Sequence, residues 1–172
     1  MSASPDTKPA FRLLEARWTA LGFEGLAKEE REALALFWLE GELMNGGLFQ
    51  YFANSSGDLA PLALAALKRV GAERTHALLT AAMTKLSVAG SYPTDRTTRG
   101  QALEVLGWET DHFASETDEL QTLPEKFFDN ALERLGVTYS ETEWMSLHSK
   151  SPGAKPSAPC STQGTKRRHR DA

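Results

Sequence analysis

Apolar residues recur along this chain at the spacing of a helix rather than at every second position. A first helix over about residues 8–21, followed by Gly22, is predicted by four apolar residues three or four positions apart: Phe11, Leu14, Trp18 and Leu21. A second helix is predicted from about Lys28 to Met44, with acids in its first turns, where they suit the helix dipole. Its apolar face is unusually broad, which indicates a central helix: Leu34, Phe37, Trp38, Gly41 and Met44, widened by Leu36, Leu39 and Leu43.

Turn-forming residues interrupt this pattern twice between 45 and 58. Asn45-Gly46-Gly47 tolerates the left-handed backbone that often ends a helix, so the second helix is predicted to stop there. A short helix over 48–53 follows, with Phe49 and Phe52 directed inward. The second turn, 54–58, offers Ser56 or Asp58 as a cap for the next helix.

Further helices are predicted at 59–70, 73–86, 97–106, 110–120 and 124–135, and no strand-like alternation appears between them. The fold class is therefore expected to be all-α, with a single compact multi-helix domain over 1–148. From residue 149 onward apolar periodicity ends and Ser, Pro, Gly, Thr and Lys dominate. This composition predicts a disordered basic tail over 149–172.

Composition narrows the cellular setting. Cys160 is the one cysteine, so an internal disulfide is excluded. No apolar run approaches the ~20 residues that a membrane span needs, and the first ten residues are too polar for a secretory signal. A cytoplasmic protein without membrane contact is the expectation.

Charge divides the chain unevenly, although the whole carries only −4. The tail holds six Lys and Arg against Asp171, a net +5 that leaves −9 on residues 1–148, and the window 104–143 holds eleven acids against two bases. Such a run either solvates an exposed face or contacts a basic partner. Nine of its acids form the predicted partner-binding face: Glu104, Glu109, Asp111, Glu116, Asp118, Glu119, Glu125, Asp129 and Glu133.

Three interpretations of the basic tail are open. In the first the tail contacts nucleic acid, in the second it neutralises the protein's own acidic face, and in the third it is solvated and has no fixed partner. Direct nucleic-acid binding is expected only through Lys166, Arg167, Arg168 and Arg170.

The turn-rich stretch combines amides, aromatics and glycines. In a purely structural interpretation, its aromatic residues fill the core. Gln50 and Asn54, four positions apart, then satisfy the backbone groups of adjacent helix ends. The alternative is a polar notch beside an aromatic floor that accepts a ligand. Its pattern resembles the signature of a bacterial all-helical family named after a DNA-mimic protein, most of whose members lack an assigned function. The residues that carry the resemblance are Glu42, Asn45, Gly46, Gly47, Gln50, Phe52, Asn54, Ser55, Ser56 and Gly57.

This resemblance implies an acidic, usually dimeric protein. Its carboxylates are expected to imitate the phosphates of duplex DNA and to occupy the DNA-binding surface of a transcription factor or another basic protein. Mimicry has a physical basis, because DNA-binding proteins gain much of their affinity by pairing Lys and Arg with phosphates.

A metal-dependent helical enzyme is the alternative. Two Glu-x-x-His repeats, Glu73/His76 and Glu109/His112, resemble those of di-iron bundles, with further ligands available from Glu15 and from Glu40 or Glu42. Both repeats directly follow Gly-containing breaks, however, whereas bundle ligands lie mid-helix. The sequence has neither a phosphate-binding loop nor a dinucleotide fingerprint. We therefore expect no enzyme, no metal and no cofactor.

Overall fold

Helices dominate the computed structural model, which describes residues 7–107, 113, 114, 116, 117, 131–140 and 142. In chain order the elements are α1 (Thr7–Leu21), α2 (Lys28–Ala53), a 3₁₀ helix (Ser55–Leu59), α3 (Ala60–Arg69), α4 (Glu73–Lys85), α5 (Arg96–Leu106) and α6 (Ala131–Arg134). The described ranges contain no strand, and a single bridge between Val88 and Ser91 closes a tight turn. The predicted all-α class is confirmed. Two further helices are predicted at 110–120 and 124–135, and most of their residues lie outside the described ranges.

Helix α2 is the centre of the bundle, as its broad apolar face predicts. It contacts the 3₁₀ helix, α3, α5 and α6. Four of its leucines are buried: Leu34, Leu36, Leu39 and Leu43. Its aromatic residues meet α1, with the rings of Phe37 and Phe11 4.0 Å apart and those of Trp38 and Trp18 6.1 Å apart.

One residue of the predicted buried face of α2 is exposed. Met44 keeps 68% of its surface accessible, and Asn45 and Gly46 after it are exposed as well. Met44 and Asn45 directly precede a kink that begins at Gly46, where the backbone leaves the helical path. Periodicity assumes one straight helix, so it assigned Met44 to the core wrongly.

The kink lies at Gly46 and Gly47, where the sequence predicts a helix stop. Gly47 has φ +74°, in the left-handed region, and Gly46 is also non-helical. The helix resumes at once, so the predicted short helix over 48–53 forms the second part of α2. Tyr51 and Phe52 are its fully buried aromatics, whereas Phe49, predicted to point inward, is only partly buried.

Arginine side chains attach the segment containing α6 to the rest of the bundle. The Arg69 guanidinium pairs with the buried Glu32 carboxylate of α2 and donates to the backbone oxygen of Leu135 at 3.4 Å. Arg134 in turn donates to the backbone oxygen of Val70. Residues about 65 positions apart are thereby joined at one end of α2 and α3.

No helix in the described ranges has both the length and the apolarity to cross a membrane.

Replacing Leu39 should test the position of α2. Leu39 is fully buried, so Leu39→Ala is expected to lower the free energy of unfolding by about 2–5 kcal/mol, measured by urea denaturation. Met44→Ala in the same helix is the matched control and should cost less than about 0.5 kcal/mol. A comparable loss in both variants would contradict this packing.

Candidate functional site

The Glu42 carboxylate gathers the polar side chains of the signature. It accepts hydrogen bonds from Gln50 Nε2 at 2.5 Å, from Asn54 Nδ2 at 3.0 Å and from Ser56 Oγ at 2.9 Å. Glu42 precedes the kink in α2 and its three donors follow it, so the carboxylate closes the corner. The prediction that Gln50 and Asn54 satisfy backbone groups of helix ends is wrong, because both amides donate to Glu42.

Arg99 of α5 satisfies those backbone groups instead. Its side chain is fully buried, and its guanidinium donates to four backbone oxygens and one carboxylate. The acceptors are the backbone oxygens of Phe52 at 2.5 Å, Asn54 at 2.7 Å, Pro93 at 3.3 Å and Thr94 at 3.3 Å, and Asp58 Oδ1 at 2.7 Å. The last carbonyls of a helix have no intrahelical donor. At the end of α2, the Arg99 guanidinium donates to these carbonyls instead.

Arg99 was missed by reasoning from the sequence, although a signal for it exists. Leu103 is buried, Ala102 and Leu106 are partly buried, and Arg99 lies four residues before Leu103 and seven before Leu106. It therefore occupies the apolar face of a short helix, where a basic residue requires buried acceptors.

Glycine at position 57 allows the guanidinium to approach the backbone. A Cβ at this position would lie 2.7 Å from Arg99 Nε and 2.8 Å from the backbone oxygen of Tyr51, closer than real contacts allow. The Gly57 backbone oxygen also accepts from the Tyr92 hydroxyl at 2.9 Å. A residue with a side chain at position 57 would therefore clash with Arg99 and the Tyr51 backbone.

Neither predicted cap of the following helix acts as one. The residue preceding α3, Leu59, forms no side-chain cap. Ser56 donates to Glu42 and Asp58 accepts from Arg99, so long-range bonds use both side chains.

The aromatic residues of the corner pack on one another. The Phe52 ring lies 5.4 Å from that of Tyr51, 5.9 Å from Tyr92 and 5.3 Å from Phe113. Burial raises the pKa of both tyrosine hydroxyls above the ordinary value. The Tyr51 hydroxyl has no hydrogen-bond partner among the described residues. These contacts agree with the structural interpretation, in which the aromatics fill the core.

Three residues of the predicted acidic face fall within the described part of the chain. Glu104 and Glu133 are exposed, as expected. Glu116 departs from the prediction, because it is buried and its carboxylate lies 2.7 Å from Lys85 Nζ. Six members lie outside the described residues, and the face as a whole remains a prediction: Glu109, Asp111, Asp118, Glu119, Glu125 and Asp129.

A groove of about 230 Å³ runs between the start of α2 and residues 136–139. Its buried carboxylate, Glu30, accepts from Arg17 Nε at 2.5 Å, from the Ala27 N–H at 2.9 Å and from the Tyr139 hydroxyl at 3.2 Å. Burial opposes the charged form, but these donors outweigh it and lower the pKa of Glu30. Both carboxylate oxygens are hydrogen-bonded within the protein, which indicates a structural role.

The alternative of a metal-dependent enzyme finds no set of metal ligands in the described part of the chain. No group of three or more His, Cys, Asp or Glu residues is placed there to hold an ion. Glu73 is exposed at the start of α4, as its position after a glycine break predicts. Glu109 and His112 lie outside the described residues, as do the tail residues Lys166, Arg167, Arg168 and Arg170.

Replacing Arg99 should separate its role from that of a neighbouring surface arginine. Arg99→Met leaves Asp58 and several buried carbonyls without a donor, so the free energy of unfolding should fall by about 3–5 kcal/mol. Arg99→Lys should also destabilise, because an ammonium cannot reproduce the planar fork. Arg96 is exposed and bonds the Ala53 backbone oxygen at 3.0 Å, so Arg96→Met is the control and should cost about 1 kcal/mol or less. Equal losses at both positions, measured by denaturant titration, would argue against a buried hub at Arg99.

Comparison with known proteins supports the resemblance that the signature carries. A family model described as DMP19-like protein matches residues 24–144, which include the corner and the whole acidic window. No curated protein and no solved structure matches the chain. The matched range covers well over half of the 172 residues. The chain therefore belongs to the DMP19-like protein family.

Proposed function

We propose that this protein is a non-enzymatic interaction domain that acts as a DNA mimic. Its acidic face, within residues 104–143, occupies the DNA-binding surface of a transcription factor or another basic protein. The observation that carries the proposal is the charge of this window, eleven acids against two bases, in a chain of the DMP19-like family. Cytoplasmic location in a bacterial cell and assembly as a homodimer are part of the same proposal.

Electrostatics explains how such a face competes with DNA. A DNA-binding protein places Lys and Arg opposite phosphates and gains affinity as counterions are released. Carboxylates at fixed positions on a rigid surface offer the same residues an alternative partner. The two exposed acids of the face that the structure describes, Glu104 and Glu133, both lie on helices. Arg99 holds the first of these helices, α5. In the second, α6, Arg134 donates to the Val70 backbone oxygen, and Leu135 directly after it accepts from Arg69.

The internal bonding of the signature supports an interaction role over catalysis. The side chains of Gln50, Asn54 and Ser56 donate to Glu42, and Asp58 accepts from Arg99. A catalytic constellation requires a titratable group within reach of substrate. Here the polar groups of the most distinctive motif stabilise the corner.

Elution by duplex DNA should test the mimicry directly. The full chain is immobilised and exposed to a bacterial lysate, and bound proteins are eluted with duplex oligonucleotides of increasing length. Because a mimic and DNA compete for one surface, the captured protein should elute with duplex DNA more readily than with sodium chloride of equal ionic strength. Mass spectrometry should identify it as a DNA-binding protein. Capture of proteins that duplex DNA does not release would count against mimicry.

Matched charge variants sharpen this test. Glu119→Gln with Glu133→Gln removes two carboxylates from the proposed face, and Glu24→Gln with Glu73→Gln removes two exposed carboxylates elsewhere. Both variants change the net charge equally. The first is expected to weaken capture about tenfold and to reduce the salt dependence of binding. Equal weakening by the two variants would mean that net charge, rather than the face, determines binding.

Neutralising the basic tail should strengthen the interaction with a basic partner. The tail carries +5 and repels the same cations that the acidic face attracts. Converting Lys166, Arg167, Arg168 and Arg170 to Gln in the full chain should therefore tighten binding of the DNA-eluted protein, most strongly at low salt. Weaker binding would show instead that the tail contributes to the contact.

A further inference from the structure

The signature corner and the acidic window are in contact. The backbone N–H of Leu48 donates to Thr117 Oγ1 at 3.1 Å, across 69 positions of sequence. Leu48 is the first residue after the kink of α2, where a resumed helix leaves N–H groups without an intrahelical acceptor. Thr117 therefore caps the second part of α2 from a distant segment.

Gly47 makes this contact sterically possible. A Cβ at position 47 would lie 2.6 Å from Thr117 Cγ2 and 3.0 Å from Thr117 Oγ1. The backbone φ of +74° at Gly47 is also one that other residues rarely adopt. The glycine of the signature thus serves both the kink and the approach of Thr117.

Glu116 and Phe113 also attach this segment to the helices, Glu116 to α4 and Phe113 to α2. Glu116 pairs with Lys85 of α4 at 2.7 Å, and the Lys85 ammonium lies 5.8 Å from the centre of the Phe113 ring. Phe113 is buried against Phe52. The segment containing 113–117 therefore contacts the corner through Thr117 and Phe113 and the end of α4 through Glu116.

We propose that Gly47 and Thr117 are positioning residues for the partner-binding face. This inference rests on the proposed function, because it assigns the signature a role in placing the acids of that face. Asp118 and Glu119 directly follow Thr117 in the chain. Since consecutive Cα atoms are about 3.8 Å apart, a fixed Thr117 confines the backbone of both acids to within about 8 Å of the anchor. A partner that reads phosphate spacing requires such confinement.

Hydrogen exchange of the full chain tests the anchor without any partner. Thr117→Val keeps the shape of the side chain but removes the acceptor, so the Leu48 amide should exchange about two- to tenfold faster, as expected for one lost hydrogen bond. Peptides covering 118–130 should exchange faster as well. Thr117→Ser retains the oxygen and should restore wild-type exchange at Leu48. Unchanged exchange at Leu48 and over 118–130 in Thr117→Val would overturn the proposal.

A pair of glycines provides the steric control. Gly47 and Gly71 have φ of +74° and +73°, but a Cβ at Gly71 would meet nothing within 4 Å. Both alanine variants place a side chain on a backbone of positive φ, and the added Cβ meets Thr117 only in Gly47→Ala. Faster exchange over 118–130 is expected in Gly47→Ala alone. The same increase in Gly71→Ala would mean that general loss of stability, rather than displacement of Thr117, causes the faster exchange. If Gly47→Ala does not fold, Thr117→Val still decides the question.

Binding to two probes separates positioning from folding. A 20-residue polyarginine peptide is flexible and responds mainly to total charge, which Thr117→Val leaves unchanged. The protein eluted by duplex DNA presents cations at fixed positions. Thr117→Val should weaken binding of the eluted protein about two- to tenfold, leave polyarginine binding unaltered, and be rescued by Thr117→Ser. Equal affinities of wild type and Thr117→Val for the eluted protein would refute the positioning role, whereas failure to elute any DNA-binding protein would refute mimicry and leave the exchange result standing.

Discussion

A buried positive charge organises the central corner of this protein. The Arg99 guanidinium is removed from water, and a buried charge is tolerated only when it is paired and hydrogen-bonded. The end of α2 and the turn after it supply that environment through Asp58 and a set of backbone oxygens. Gly57 leaves room for the side chain, and Tyr92 bonds the same turn from outside. The turn after α2 and the position of α5 therefore both depend on the Arg99 side chain.

Asn54 links this positive charge to a negative one. Its side-chain amide donates to the Glu42 carboxylate, while its backbone oxygen accepts from Arg99. Glu42 lies before the kink of α2 and Asn54 directly after its second part. Glu42 thus joins the two parts of the helix across the kink, and Arg99 holds the turn that follows the second part. The amides and the Ser56 hydroxyl of the corner are therefore bonded without a ligand.

Under the proposed function the corner also has a role, although its own polar groups are bonded internally. Thr117 and Phe113 bring the acidic window against it, and Glu116 contributes a buried ion pair rather than a surface charge. A mimic differs from a merely acidic protein in the positions of its carboxylates, because surface charges at variable positions contribute little to specific binding. Under the proposed function, the corner stabilises the scaffold that carries the acidic face.

Local pattern in the sequence sufficed for the helices that the structure describes, for a break at Gly46 and Gly47, and for the separation of acidic and basic segments. These features depend on neighbours within a few residues or on composition alone. Only the tertiary structure determined the contacts between residues that are distant in sequence and the exposure that follows from the bend in α2. Arg99 reaches carbonyls some 45 positions away, Glu116 pairs with Lys85, and Met44 is exposed because the helix bends just after it. Periodicity indicates which face of a helix is apolar, but the acceptors of a buried charge are chosen only when distant segments meet in space.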